Sequence, residues 1–254
     1  MRERVPGQGG PGPAVGSTDP EEFEKELERG ASREKRMDWD DAEAFYDALL
    51  AGLGKVSGDD RHGRAMRAMA LLRKGNALME LGRWEDARRT FDEALHEAKA
   101  SGDEGVLGQA ALAAGTFAGN RGDSERAEAF LLESLELFHR RNDRASLQGR
   151  GWAFLNLASL YGRTGRLDLA FVTFTKAQNT LGAAENWGGV AAAWEAQGQL
   201  RRAIGDEERW QDDLSEAVIF YDREGMKEKA DALRTLLGRR IERVRRALLG
   251  RRIV

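Results

Sequence analysis

Residues 75–94 read GNALMELGRWEDARRTFDEA, and the spacing within this stretch returns down the rest of the chain. The small residues Gly75, Gly115, Ala158, Gly198 and Gly238 stand 40, 43, 40 and 40 residues apart. A second register agrees, with Gly82, Gly122, Gly165 and Gly205 separated by 40, 43 and 40. Ala87, Ala127, Ala170 and Trp210 fall in step with both. A fixed period of this size marks a stacked helical array, in which each unit buries its face against the next. The expected fold is therefore all-α, one elongated repeat domain.

Within one period the pattern is helix, tight turn, helix. Leu71, Leu78 and Leu81 recur at helical spacing before Gly82, which suits a left-handed C-terminal cap. A second helix follows, with Trp84, Ala87, Phe91, Ala94 and Leu95 on one face. Ser101, Gly102 and Asp103 end that helix and cap the next, and the same punctuation is expected at Asn142 with Asp143, at Gly182 and at Gly225. Glycine inside a helix costs about 1 kcal/mol relative to alanine, so Gly75, Gly115 and Gly198 are expected where paired helices approach closely. Ala87 is expected opposite Gly75. Trp210, in a slot that is small elsewhere, predicts a last pair that is either splayed or shifted in register. The longer interval, 115 to 158, contains LFHRRNDRASLQGRG (residues 137–151). Its three extra residues are nearly one helical turn, or else a loop bulge.

Residues 21–56 read as a worn copy of the unit and an N-terminal cap. Trp39, Ala42 and Tyr46 precede Trp84, Ala87 and Phe91 by 45 residues each, as Gly30 precedes Gly75. Ser57, Gly58 and Asp59 read as the break and the next cap. All four prolines lie in the first 20 residues among glycine and serine, so residues 1–20 are expected to be a disordered tail. Gly7, Gly9 and Gly12 form GxGxxG there, but a dinucleotide site needs that pattern between a strand and a helix, and neither is expected.

Composition fits a soluble chain of 254 residues, 41% hydrophobic and 33% charged, without an apolar run approaching the roughly 18 residues of a membrane span. There is no cysteine, which removes thiol chemistry and disulfides. The N-terminus has no hydrophobic segment of the secretory kind, so a cytoplasmic location is expected. The net charge of −3 hides an asymmetry. Residues 239–254, RRIERVRRALLGRRIV, hold seven arginines against Glu242, a local +6 that leaves −9 for the remainder. Ile241, Val244 and Leu248 keep a helical stripe, so this is a basic amphipathic helix, read as a segment separate from the repeat domain over 21–238. It is either the solvating cap of the array or a contact surface through Arg239, Arg240, Arg243, Arg245 and Arg246 for nucleic acid, an acidic protein or an anionic membrane. A third reading is self-association, the helix of one chain entering the groove of another.

Leu71, Gly75, Leu78, Gly82, Ala87, Phe91 and Ala94 together resemble the tetratricopeptide repeat, as do Phe154, Leu157, Ala158, Tyr161, Gly165, Ala170, Phe174 and Ala177. The resemblance covers about residues 60–240, with a period near 40 in place of about 34, as in longer-helix members. It implies a right-handed superhelical solenoid of antiparallel helix pairs, about five repeats with the divergent first one, closed by a C-terminal helix. It also implies that the first helix of each pair lines a concave face that binds a peptide or amphipathic helix of another protein. The positions so implied are Leu72, Asn76 and Met79; then Leu112, Thr116 and Gly119; then Trp152, Leu155, Asn156, Ser159 and Gly162; then Glu195, Gln199 and Arg202. The groove is expected to be apolar along Leu72, Leu112 and Leu155, open at Gly119 and Gly162, and polar toward Arg202. Relatives that grip a C-terminal carboxylate use Lys, Asn and Arg. Asn76 matches, whereas Leu72, Ala113 and Asn156 do not, so no such clamp is expected.

No catalytic constellation is legible. His62, His96 and His139 lie on different expected helices without metal-ligand spacing, and there is no GxxxxGK[ST] loop. Asp38, Asp40 and Asp41 precede a helix, where carboxylates favour its dipole. Trp84 and Trp194 fall on packing positions. The reading is a non-enzymatic scaffold without cofactor or metal.

Overall fold

The structure of the protein, a computed structural model, describes residues 19–56 and 60–250, with the side chains of Lys35, Lys55, Val56 and residues 239–250 outside the described part. Residues 1–18, which hold the GxGxxG pattern, and Ser57, Gly58 and Asp59 lie outside it too. Among the described residues every regular element is an α-helix. In chain order these are α1 (Pro20–Lys35), α2 (Trp39–Val56), α3 (Arg61–Glu80), α4 (Trp84–Ser101), α5 (Glu104–Asn120) and α6 (Ser124–His139). They continue as α7 (Arg144–Arg163), α8 (Leu167–Ala183), α9 (Trp187–Ala203), α10 (Trp210–Arg223) and α11 (Lys227–Gly250).

Local chemistry fixes the ends of these helices. Asp60, Asp103, Asp123, Asp143 and Asn186 each stand just before a helix, and each side chain accepts a hydrogen bond from a backbone N–H of its first turn. Those donors have no partner inside the helix, so the cap removes a desolvation cost. Gly82 takes φ 71° in the tight turn, a left-handed conformation that a β-carbon disfavours, and Gly122, Gly165 and Gly205 repeat it. Two expected boundaries move. Asp60, one residue beyond the expected break, caps α3. Gly182 lies inside α8, and the turn falls at Glu185, with φ 54°.

The helix pairs close through a spacing of sixteen residues. A β-carbon added at Gly75 would meet the Phe91 ring at 2.5 to 2.9 Å. Phe91, and not Ala87, therefore fills the space opposite Gly75. Gly75 stands seven residues before Gly82, midway between the five and the nine by which Ala87 and Phe91 follow it. Side chains on a helix lean toward its N-terminus, so the long ring of Phe91 reaches back toward the turn and over the glycine. Gly30 faces Tyr46 and Gly198 faces Leu214 in the same way, so α1 with α2 is indeed a copy of the unit. The last pair is neither splayed nor out of register. Residues 206–209 form a turn, α10 lacks the first turn of its counterparts, and Trp210 stands buried at its start, its indole N–H donating to Glu207 at 3.1 Å.

A second close approach joins one pair to the next. Phe138, near the end of α6, lies against Gly149 of α7. Leu181, near the end of α8, would be met at 2.5 Å by a β-carbon on Gly151 of α7 and at 2.8 Å by one on Gly189 of α9. The three extra residues are helical, since α7 has 20 residues where α5 and α9 have 17.

The chain divides into two compact units, Met1–Arg121 and Gly122–Val254. The first has its core at Phe23, Phe45, Tyr46, Leu49, Leu53 and Met66. The Tyr46 hydroxyl donates there to Glu34 at 2.7 Å, and Arg73 reaches the same carboxylate at 3.1 Å. Burial, with the Glu34 acceptor, pushes the Tyr46 phenol far above its ordinary range. The second unit packs Trp210, Leu214, Tyr221 and Leu233 together. Residues 238 and 239, where sequence suggested a boundary, lie within the single helix α11.

Candidate partner-binding surface

In the first unit the expected positions lie on the first helices α3 and α5, which touch each other. Asn76 is exposed, and Met79, Leu112 and Thr116 are half-buried. Leu72 is 7% exposed, so it belongs to the packed interior and offers almost no surface. The Thr116 hydroxyl donates to the Leu112 carbonyl at 2.8 Å, which ties it to its own helix.

In the second unit α7 and α9 are likewise in contact. Trp152, Asn156 and Ser159 on α7 are half-buried, whereas Leu155 is 6% exposed and packs inward. Ser159 donates to the Leu155 carbonyl at 3.0 Å. Gly162 is not an opening: Leu200 of α9 lies over it, 2.9 Å from where its β-carbon would be. The expected stripe of Leu72, Leu112 and Leu155 thus reduces to Leu112 as surface, because two of the three leucines fill the space between helices.

Polar groups of α9 are held in place. The Glu195 carboxylate accepts from the Tyr221 hydroxyl at 2.7 Å and from the Gln199 amide at 3.0 Å. Burial first, then Glu195, raises the Tyr221 phenol well above its ordinary value, so the hydroxyl stays a donor. Exposed Arg202 sets its guanidinium 5.6 Å from the centroid of the Trp210 ring. Each unit thus combines apolar side chains that are partly wet with groups able to bond a peptide backbone. Arg239, Arg240, Arg243, Arg245 and Arg246 lie on α11, with side chains outside the described part. His62, His96 and His139 are exposed and separate, on α3, α4 and α6. Trp84 and Trp194 are half-buried.

Sequence reasoning missed a different set. On the second helices, Leu132 of α6, Leu169 and Val172 of α8 and Ile219 of α10 are exposed. The signal was available, since Leu169 and Val172 lie off the buried register of Ala170, Phe174 and Ala177. Among the described residues no helix is long and apolar enough to cross a membrane.

A profile described as the tetratricopeptide repeat matches residues 70–104. No curated protein matches the chain in sequence. Among solved structures, the chain is similar to BtubC (BKLC) from P. vanneervenii at 20% identity and TM-score 0.57, covering 87% of this chain and 84% of that one. It is similar to a Rap protein complexed with Competence and Sporulation Factor at 14% identity and TM-score 0.60, covering 91% of this chain and 65% of that one. It also resembles a kinesin light chain with nearly identical TPR-like repeats from Podospora anserina, at 11% identity and TM-score 0.57, covering 82% and 98%. At such identities the likeness is one of fold. The chain carries a tetratricopeptide repeat at residues 70–104 and has the all-α, TPR-like solenoid fold of those proteins.

Proposed function

We propose that the chain is a non-catalytic interaction scaffold that holds a peptide or an amphipathic helix of a partner protein against its first helices. The observation that carries this is the recurrence, in each unit separately, of half-buried apolar side chains with a side-chain amide: Met79 and Leu112 with Asn76, and Trp152 with Asn156. Apolar surface that is still wet gains about 25 cal/mol per Å² when a partner covers it. Amides can donate to and accept from a peptide backbone without a charge penalty. Glu195, Gln199 and Arg202 would read the polar end of such a segment. The likeness to a Rap protein solved with Competence and Sporulation Factor supports this reading through fold alone.

The test is capture of partner proteins from an extract of the native cell by a variant carrying Leu112→Glu, Trp152→Ala and Asn156→Ala. Retained proteins should fall at least tenfold while helicity by circular dichroism stays unchanged. Undiminished capture by a folded variant would refute the reading. Leu155→Glu is unsuitable here, because a carboxylate at that buried site would unfold the repeat.

A further inference from the structure

Gly30, Gly75 and Gly198 sit on first helices, and each is covered by a side chain sixteen residues on, from the second helix of its pair. Gly238 stands forty residues after Gly198, at the same place in the period. A β-carbon added there would meet nothing within 4 Å among the described residues. At Gly238, then, no described residue gives α11 the cover that its counterparts have.

The same helix also outruns its neighbour in length. Its 24 residues span about 36 Å, against about 21 Å for the 14 residues of α10, on which it packs. The last ten or so residues therefore run past the length of α10. Ile241, Val244 and Leu248 there share the helical register of Leu233 and Leu237, which belong to the α10 core. Residues 239–250 hold five arginines and one glutamate, a net +4.

The chain itself contains the complement. Residues 19–28, the start of α1, hold six acids against Lys25, a net −5. Glu21, Glu22, Glu24 and Glu28 are exposed, while Phe23 of the same turns is buried in the core. The helix therefore presents its charge outward and is anchored from behind.

We propose that the basic end of α11 docks on the acidic first turns of α1 in a second copy of the chain, joining copies last helix to first. Such a contact is heterologous, so it either closes a ring or propagates. Exposed charges attract through a screening length of about 8 Å at physiological salt, so the association weakens as salt rises. The residues involved lie on α1 and α11, and those to which partner capture is assigned above lie on α3, α5, α7 and α9.

The test is the weight-average mass of the intact chain by sedimentation or light scattering. At low salt the mass should climb with concentration above the 28.1 kDa of one chain. It should return to that value when salt shortens the screening length to about 3 Å, near 1 M. A form with Glu21→Lys, Glu22→Lys and Glu24→Lys, and a form with Arg243→Glu, Arg245→Glu and Arg246→Glu, should each stay at 28.1 kDa alone. Mixed in equal amounts they should associate again, which a loss of folding in either could not produce. A wild-type mass of 28.1 kDa at every concentration overturns the proposal, as does association that survives either reversal. Binding of a labelled duplex oligonucleotide by a monomeric chain, lost only with the arginine reversal, assigns the helix to nucleic acid and also overturns it. The Leu112→Glu, Trp152→Ala, Asn156→Ala variant should self-associate as wild type does, so the two readings fail independently.

Discussion

The ring of Phe91 occupies the volume that a side chain on Gly75 would need, with ring carbons 2.5 to 2.9 Å from the β-position. Gly75→Ala should therefore lower stability by about 1–3 kcal/mol through overpacking, although alanine is the better helix former. Gly238→Ala, with no described residue within 4 Å, should instead leave stability unchanged or raise it by up to about 1 kcal/mol. Denaturant titration of the two variants gives the comparison, and equal effects would contradict the register.

Leu181 is wholly buried between α7, α8 and α9, against Gly151 and Gly189. Leu181→Ala should cost about 2–5 kcal/mol, the range for a buried leucine whose cavity cannot collapse. The protecting effect of Leu181 is local, so amide exchange should speed up most in α7 to α9. Uniform acceleration through the chain would contradict this.

Asp213 is 3% exposed and paired with Arg201 at 3.0 Å. Burial raises its carboxyl above the usual range, and a hydrogen bond from Gln197 and the charge of Arg201 pull the other way. With the folded pKa raised, its contribution to stability is present below about 3.9 and is lost as pH rises through the folded value. Arg201→Met removes one of the lowering interactions. It should cost about 3–5 kcal/mol near neutrality and recover part of that on acidification, as the stranded carboxylate takes up a proton. Melting temperature against pH for both forms decides it; a deficit independent of pH would contradict the pairing.

Asp143 behaves in the opposite sense. It caps α7 by accepting from the Ser146 backbone N–H at 2.9 Å, with Arg141 at 2.9 Å and the Ser146 hydroxyl at 3.0 Å as further donors. These hold its carboxyl at about 2, below an ordinary 3.8. The stabilisation is present above 3.8 and is lost as pH falls through about 2. Asp143→Asn should flatten the fall in melting temperature across that interval, and an unchanged acid limb would show that the cap contributes nothing.

The fold was legible because its beats are backbone requirements. Gly82 and its counterparts must take positive φ, and Gly75 and Gly198 must admit a neighbouring side chain, so spacing alone revealed the pairs. Which residue does the covering was not legible, since Ala87 and Phe91 lie one turn apart on the same helix face, equally far from the position that mirrors Gly75 across Gly82, and only the reach and lean of the side chain separate them. The contact of Leu181 with Gly189 was hidden for another reason: it crosses from one pair to the next, and the period alone does not reveal what lies across that junction. The candidate surface was half legible. Helical spacing placed Asn76, Met79, Leu112 and Asn156 where some side chain is wet, but burial of Leu72 and Leu155 depends on neighbouring helices that spacing does not see.

The most direct test of the scaffold reading is site-specific photo-crosslinking in the native cell. One set of probes stands on first helices, at Met79 and Asn156. The other stands at Val172 and Ile219, which are 56% and 57% exposed on second helices. Crosslinks to partner protein should form at Met79 and at Asn156 and be absent at Val172 and Ile219. Crosslinks confined to Val172 and Ile219 would place binding on the second helices and contradict the proposal.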